Sequence, residues 1–407
     1  MIKKILLKLF LVKFIFLSSL LFSFGVAYAE NTVKIGVLNP LTGLYAIVGK
    51  RASQGINMAV DEINQSGGIL GMKLEALIRD SETNPDSSVR TGKRLILQDK
   101  VVALFGPLHG GAAIAVNNLA KQLKTPQFPW AATEEINTTM CSRYTWRVGS
   151  SAQQTSRAGA LIAYREGYKN WSSISSDFSY GRSVVNQFKD YLTELDNSSN
   201  FKYQAWPKLG EDDYSAYITN IAKEKPEALY VGLFGADLIK FTKQAKAFGL
   251  FDKLKIFTDF GGNHIILKVL GDNNPFGHWA SSRYLHYYPE TEANKNFVKN
   301  FRARYDGVYP DMVAGEAYST TMILAKAIQK AGSADKEKIV DALGETVFNA
   351  PEGWIIMRPS DHQGWQSSFW GVISKDSSYD FPILKNIQVI SPVQGSHADE
   401  KSGQGCK

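Results

Sequence analysis

The chain has 407 residues, 44% of them hydrophobic and 21% charged, with a formal net charge of +7. That length suits two domains, and the composition is that of a soluble globular protein. Four of the lysines (Lys3, Lys4, Lys8 and Lys13) fall in the first 29 residues, which carry no acid. Without them +7 becomes +3, too mild a balance for a nucleic-acid partner, and no basic run with interleaved aromatics occurs.

The opening residues read as a secretory leader. "MIKKILLK" is a basic start, "LFLVKFIFLSSLLFSFGV" is mostly apolar, and "AYA" ending at Ala29 is a small-x-small cleavage site. We expect residues 1–29 to be a signal peptide and the mature chain to begin at Glu30, in the periplasm. An uncleaved N-terminal anchor is the alternative. No cysteine follows Ala29, so no lipid attachment is expected there. Export to an oxidising compartment permits one disulfide between the two cysteines, Cys141 and Cys406. Two free thiols are the alternative, since spacing alone cannot decide it.

"VKIGVLNP" reads as a buried strand, followed by the loop "LTGLYAIVG" and a helix with Ile56, Ala59, Val60 and Ile63 at helical spacing. "QSGGILG" ends that helix. "MKLEALIRD" is a strand, "DSSVRTGKRLILQ" a helix with Asp86 as its expected cap, and "VVALFGP" the next strand. A glycine turn at His109, Gly110 and Gly111 opens another helix, and "PQFPWAAT" completes a repeating βα pattern. A second series follows, with strands in "WSSISSDFSYG", "FKYQAWPKL", "EALYVGLFG" and "LKIFTDFGG". Helices alternate with them, one of them expected to be capped by Asp212 or Asp213. Further helices are read near Glu292–Tyr305, Gly315–Ala331 and Lys336–Leu343, then a Trp-rich strand-like stretch around "GWIIMRPSDHQGWQSSFWGVISK" and an exposed tail after Ser391. Alternation of this kind implies an α/β fold with parallel sheets covered on both faces, and the doubled series suggests two similar lobes.

In open parallel sheets, ligands bind outside the carboxyl ends of the strands. "LTGLY", "GPLHGG", "WAAT", "SDFSYG", "LFGAD" and "TDFGG" all sit at such ends. Two lobes whose strand ends face each other would enclose a cleft. The turn at His109 adds unpaired N–H groups at a helix start, a seat for an anionic or strongly polar group; the plainer reading is a tight strand-to-helix turn.

At this point the chain resembles the periplasmic substrate-binding proteins of ABC transporters, in the leucine/isoleucine/valine-binding branch. The resemblance runs from "VKIGVLNPLTGLYAIVGKRASQGINMAVDEINQSGGILG" through "VVALFGP" and "AAT" to "SYGRSVVNQF" and "KQAKAFGL". It implies the type I periplasmic binding fold: two doubly wound parallel-sheet lobes joined by three crossings, closing on a small molecule. It places lobe 1 at 30–149 and 284–366, lobe 2 at 150–283 and 367–395, and a tail at 396–407. It also implies delivery to the permease subunits of an importer in the inner membrane and a monomer, with no nucleic acid, metal or cofactor. A sensor of the same fold, presenting its ligand to a membrane receptor, is the alternative.

Carried over residue by residue, the family's small polar residue after its "G-P-x" turn falls at His109, Gly110 or Gly111, so its hydroxyl is missing. "A-A-T" is intact as Ala131, Ala132 and Thr133, and the family's tyrosine before glycine is Tyr180. The acid that holds an α-ammonium in the amino-acid binders falls at Phe260, with Asp259 one place earlier. Whether Asp259 or Phe260 faces the cleft decides whether an ammonium has a partner. Phe234 and Phe260, with Tyr45, Trp130, Phe178 and Tyr180, suggest an aromatic pocket that favours a small organic acid or amide over leucine. His362 beside Asp361 is read as structural rather than as a metal or proton-transfer pair. Enzymes are disfavoured: G-x-S-x-G, G-x-x-x-x-G-K-[ST], H-E-x-x-H and G-x-G-x-x-G are all lacking.

Overall fold

The computed structural model describes residues 32–43, 45–395 and 406. The leader at 1–29 and most of the tail, 396–405 and 407, lie outside the described residues.

A first sheet, in the order β2-β1-β3-β4, is built from Thr32–Asn39 (β1), Lys73–Asp80 (β2), Ala103–Phe105 (β3) and Gln127–Phe128 (β4). β1 and β4 both lie parallel to β3. Helices Ala46–Gln65 (α1), Pro85–Leu97 (α2) and Gly110–Gln122 (α3) alternate with these strands.

The second sheet has the order β14-β13-β9-β8-β7-β5-β6. Its parallel part comprises Asn170–Ile174 (β5), Asn200–Ala205 (β6), Ala228–Val231 (β7), Lys255–Thr258 (β8) and Trp279–Ser282 (β9). Ser368–Ser374 (β13) and Ile383–Ile390 (β14) add an antiparallel edge. Helices Ala152–Glu166 (α4), Ser179–Leu195 (α5), Ser215–Glu224 (α6), Gly235–Ala247 (α7) and His264–Leu270 (α8) alternate with the parallel strands. All four residues of β7, "ALYV", are buried, as expected of a strand covered on both faces.

After β9 the chain returns to the first sheet as Glu292–Arg304 (α9), Met312–Ala331 (α10) and Lys336–Leu343 (α11). α10 lies so close to α1 that a Cβ on Gly55 would stand 2.1 Å from the Ala314 carbonyl oxygen, so only glycine fits. Tyr318 Oη donates to Glu62 at 2.8 Å across the same pair. A small antiparallel sheet of Val347–Ala350 (β10), Gly353–Met357 (β11) and Gly364–Trp365 (β12) follows, and the chain then crosses into β13. The polypeptide therefore passes between the two parallel sheets three times, after β4, after β9 and after β12. The first passage runs beside the residue that leads into β12, with Arg147 paired to Gln363.

Two local expectations need correction. α2 is capped not by Asp86 but by Asn84, whose side chain accepts from Ser87 N ahead of Pro85. α6 begins after Tyr214, with no side-chain cap; Asp213 only accepts from Ser215 N. Strands β9 and β14 and helix α8 carry no reading from sequence, because each is short or lies at an edge where the alternation of strand and helix has stopped.

Candidate ligand-binding site

The carboxyl ends of both parallel sheets face one cavity of about 830 Å³, counted with its opening to solvent. Asn39 closes β1, and its side-chain oxygen accepts from the Trp130 indole at 2.9 Å. Ala131, Ala132 and Thr133 follow β4 and line the cavity beside His109 and Gly110, where α3 begins. From the second sheet come Phe178 and Tyr180 at the start of α5, Phe234 ahead of α7, and Phe260 after β8.

These side chains form a nearly continuous aromatic belt. His109 stacks on Phe178 with ring centroids 6.4 Å apart. Phe178 neighbours Tyr180 at 5.8 Å, and Tyr180 neighbours Phe260 at 5.7 Å. Phe260 meets Phe234 edge-on at 5.6 Å, and Phe234 reaches Tyr45 of the first sheet at 6.3 Å. The belt crosses from one sheet to the other twice, linking the two sets of strand ends beside the cavity. Burial lowers the His109 pKa, favouring the neutral ring, and pushes Tyr45 up to about 12, helped by the charge on Asp237.

The Ala131–Thr133 loop is held from behind. Buried Arg147 donates from Nη1 to the carbonyl oxygens of Thr133 at 2.6 Å and Ala131 at 3.4 Å, and from Nε to Gln363 at 2.6 Å. Ala152 N, at the start of α4, donates to the Ala132 carbonyl at 2.9 Å. The loop's own carbonyls are thus occupied, while the Thr133 hydroxyl is buried with no protein partner.

Of the residues singled out from sequence, Tyr45, His109, Gly110, Ala131, Ala132, Thr133, Phe178, Tyr180, Phe234 and Phe260 all line this cavity. Asp259 does not. It is fully buried behind Tyr180, which donates to Oδ2 at 3.1 Å, while Ser281 Oγ donates to Oδ1 at 2.9 Å. Phe260 takes the cavity-facing place, with φ of 59°, a left-handed conformation that costs a bulky residue roughly 1–3 kcal/mol.

Cys141 and Cys406 are joined by a disulfide, with Cα atoms 4.7 Å apart. Their sulfurs and a ring nitrogen of His362 lie within 4.8 Å of one another. With the sulfurs bonded to each other the trio offers no thiolate pair to a metal. His362 stacks on Trp146 at 3.7 Å, and Asp361 pairs with Arg358.

Two charged residues of the cavity wall escape the sequence reading. Arg283, just past β9, lies with its guanidinium 4.3 Å over the Phe260 ring, and its Nη1 pairs with Glu316 of α10 at 3.2 Å. Burial raises the Glu316 pKa, opposed by Arg283 and by the Ser150 N–H. "SSR" becomes a strand-end signal only once β9 is recognised as a strand, and Glu316 is hidden in an otherwise apolar helix start. Among the described residues no helix is long and apolar enough to cross a membrane.

This geometry agrees with the comparisons. Residues 32–377 match the family model for periplasmic binding proteins. A leucine-, isoleucine-, valine-, threonine- and alanine-binding protein of Pseudomonas aeruginosa is 26% identical over 332 residues, covering 80% of this chain and 85% of its own. Among solved structures, an ABC transporter substrate-binding protein from Sphaerobacter thermophilus superposes with a TM-score of 0.82 at 23% identity, over 88% of this chain and 98% of its own. A solute-binding protein of an ABC transporter from Rhodopseudomonas palustris, solved with 3,4-dihydroxybenzoic acid, gives 0.80 at 24% identity, over 90% and 100%. With two parallel sheets, three crossings and a shared cavity at the strand ends, the chain belongs to the periplasmic binding protein family.

Proposed function

We propose that this protein is an extracytoplasmic solute-binding protein that captures a small molecule between its two lobes and delivers it to an ABC importer. One observation carries the reading: strand ends and helix starts from both sheets converge on a single apolar cavity ringed by aromatic side chains. The similarity to a binder of leucine, isoleucine and valine supports a small apolar solute, and the likeness to a binder of dihydroxybenzoic acid supports a flat one. We take the lobes to be 30–149 with 284–366 and 150–283 with 367–395, the mature protein to be monomeric, and the permease subunits to be its partners. Binding, not catalysis, is the activity.

Contacts made on both sides of the cavity by one ligand shift the lobes toward the closed arrangement. Native mass spectrometry of the purified protein, followed by small-angle scattering before and after removal of any retained molecule, tests this. A radius of gyration that falls on adding the retained molecule back is the expected result. A protein that neither retains nor responds to any small molecule would overturn the reading.

A further inference from the structure

Helices α1, α3, α5 and α7 all begin at the cavity, at Tyr45, His109, Phe178 and Phe234, and none of these supplies a side-chain cap. By contrast α2, α4, α8, α9, α10 and α11 are each capped by a side chain, and α6, which starts away from the cavity, is the one other uncapped helix among these eleven. The uncapped starts bring the positive ends of these helix dipoles to the edge of the site.

Arg283 supplies an independent sign of the same preference. Its residue is only 5% exposed, Nη1 is taken by Glu316, and both Nε and Nη2 are buried without a protein partner. Those two nitrogens form one edge of the guanidinium, the fork that meets both oxygens of a carboxylate. Leaving such a buried edge unmatched is costly, so a ligand that satisfies it gains strongly.

Asp259 behind the cavity and Glu316 in its wall are already engaged. Both oxygens of Asp259 accept hydroxyl protons, from Tyr180 and Ser281. Both oxygens of Glu316 face Arg283 Nη1, at 3.2 and 3.5 Å. Glu316 is the acid among the cavity-lining residues, so an α-ammonium would enter beside a guanidinium and meet a carboxylate that the guanidinium already holds. Phe260 lies under Arg283 and Phe234 stands against it, so the space beside the cation is walled by ring faces and edges.

We propose that the ligand is an aromatic carboxylate without an α-ammonium, its carboxylate paired to the Nε–Nη2 edge of Arg283 and its ring packed against Phe260 and Phe234. This rests on the solute-binding reading above and narrows it. Titration calorimetry with benzoate, 4-hydroxybenzoate, benzamide, phenylalanine and leucine tests it on the unaltered protein. At least one of the two acids should bind, benzamide at least tenfold more weakly, and the two amino acids more weakly still. Arg283→Gln should weaken acid binding at least a hundredfold while leaving benzamide within threefold. Arg283→Lys, which keeps the charge but not the fork, should fall between, and carries the test if the glutamine variant does not fold. Tighter binding of leucine or phenylalanine than of the acids, an acid that binds Arg283→Gln unchanged, or failure of both acids would each overturn the proposal. The solute-binding reading survives any of these outcomes if some other retained molecule still compacts the protein.

Discussion

Tyr180 donates its hydroxyl to Asp259 at 3.1 Å, and this one bond removes from the cavity the acid that could have met an ammonium. Ser281 holds the other carboxylate oxygen at 2.9 Å, and the side chain is fully buried. Asp259 is therefore part of the wall's support, bracing the start of α5 against β8 and β9. Its pKa is raised by burial, against the pull of Ser281, Arg283 and Tyr180.

Tyr180→Phe leaves Asp259 Oδ2 without its donor and should destabilise the protein by about 1–3 kcal/mol in urea unfolding. Asp259→Asn keeps the shape and should likewise act on stability. Neither variant should change the order in which acids and amino acids bind. A reversal of that order with stability intact would return Asp259 to the ligand.

The proposed closure requires a missing side chain at Gly110. A Cβ at Gly110 would lie 2.4 Å from Ser179 Oγ and 2.7 Å from Thr133 Cγ2, where the starts of α3 and α5 meet across the cavity. Gly110→Ala should hold the lobes apart, so that saturating ligand no longer lowers the radius of gyration and affinity falls at least tenfold. Adding Ser179→Gly should restore part of both. Unaltered compaction of the single variant would show that this contact does not limit closure.

The βα alternation made the two sheets legible in the sequence, because fully buried parallel strands such as "VVALFG" and "EALYVGLFG" are continuous apolar runs bounded by glycine. The strand-end rule then brought every cavity candidate except Asp259 and Gly111 to one place. What stayed hidden depends on direction rather than residue type. Asp259 and Phe260 are neighbours in "TDFGG", and only the left-handed backbone at Phe260 determines which of them faces the cavity. Arg283 follows β9, whose "WASS" is small and polar enough to read as loop. Its meaning emerges only when Glu316, 33 residues further on, is seen to take one of its nitrogens.

The bridge between Cys141 and Cys406 ties residues 265 apart in sequence. Protein purified from the periplasm without reductant should be lighter by two hydrogens than after reduction and should not react with a thiol reagent. Breaking the bridge with Cys406→Ser should cost about 2–4 kcal/mol, since long closed loops restrict the unfolded chain most. Reactive thiols in the native, unreduced protein would show that the pair is free.

The leader makes an independent prediction. Peptide sequencing of exported protein should begin at Glu30, after "AYA". A mature chain that still carries "MIKK" would show instead that the N-terminal segment is retained.

Glu352 gives the fold a pH dependence separate from the site. It is buried between α10 and the β10–β11 hairpin, with Ser319 Oγ donating to Oε2 at 2.9 Å and Oε1 left without a partner. Burial pushes its pKa from 4.5 up to about 7; its own backbone N–H and Ser319 oppose the shift, and the charge on Glu316 adds to it. A raised carboxyl pKa means that the folded state binds the proton more tightly than the unfolded chain. The associated stability is fully present below about pH 4.5 and is lost as the pH rises through 7. Glu352→Gln, which keeps a neutral side chain of the same size, should therefore gain on the parent protein by about 3 kcal/mol between pH 4 and pH 8. Urea unfolding of both proteins across that range measures the gain, because titrations common to the two cancel in the difference. Curves that stay parallel would mean that Glu352 is ionised in the folded protein across the range, or that its carboxyl titrates alike in both states.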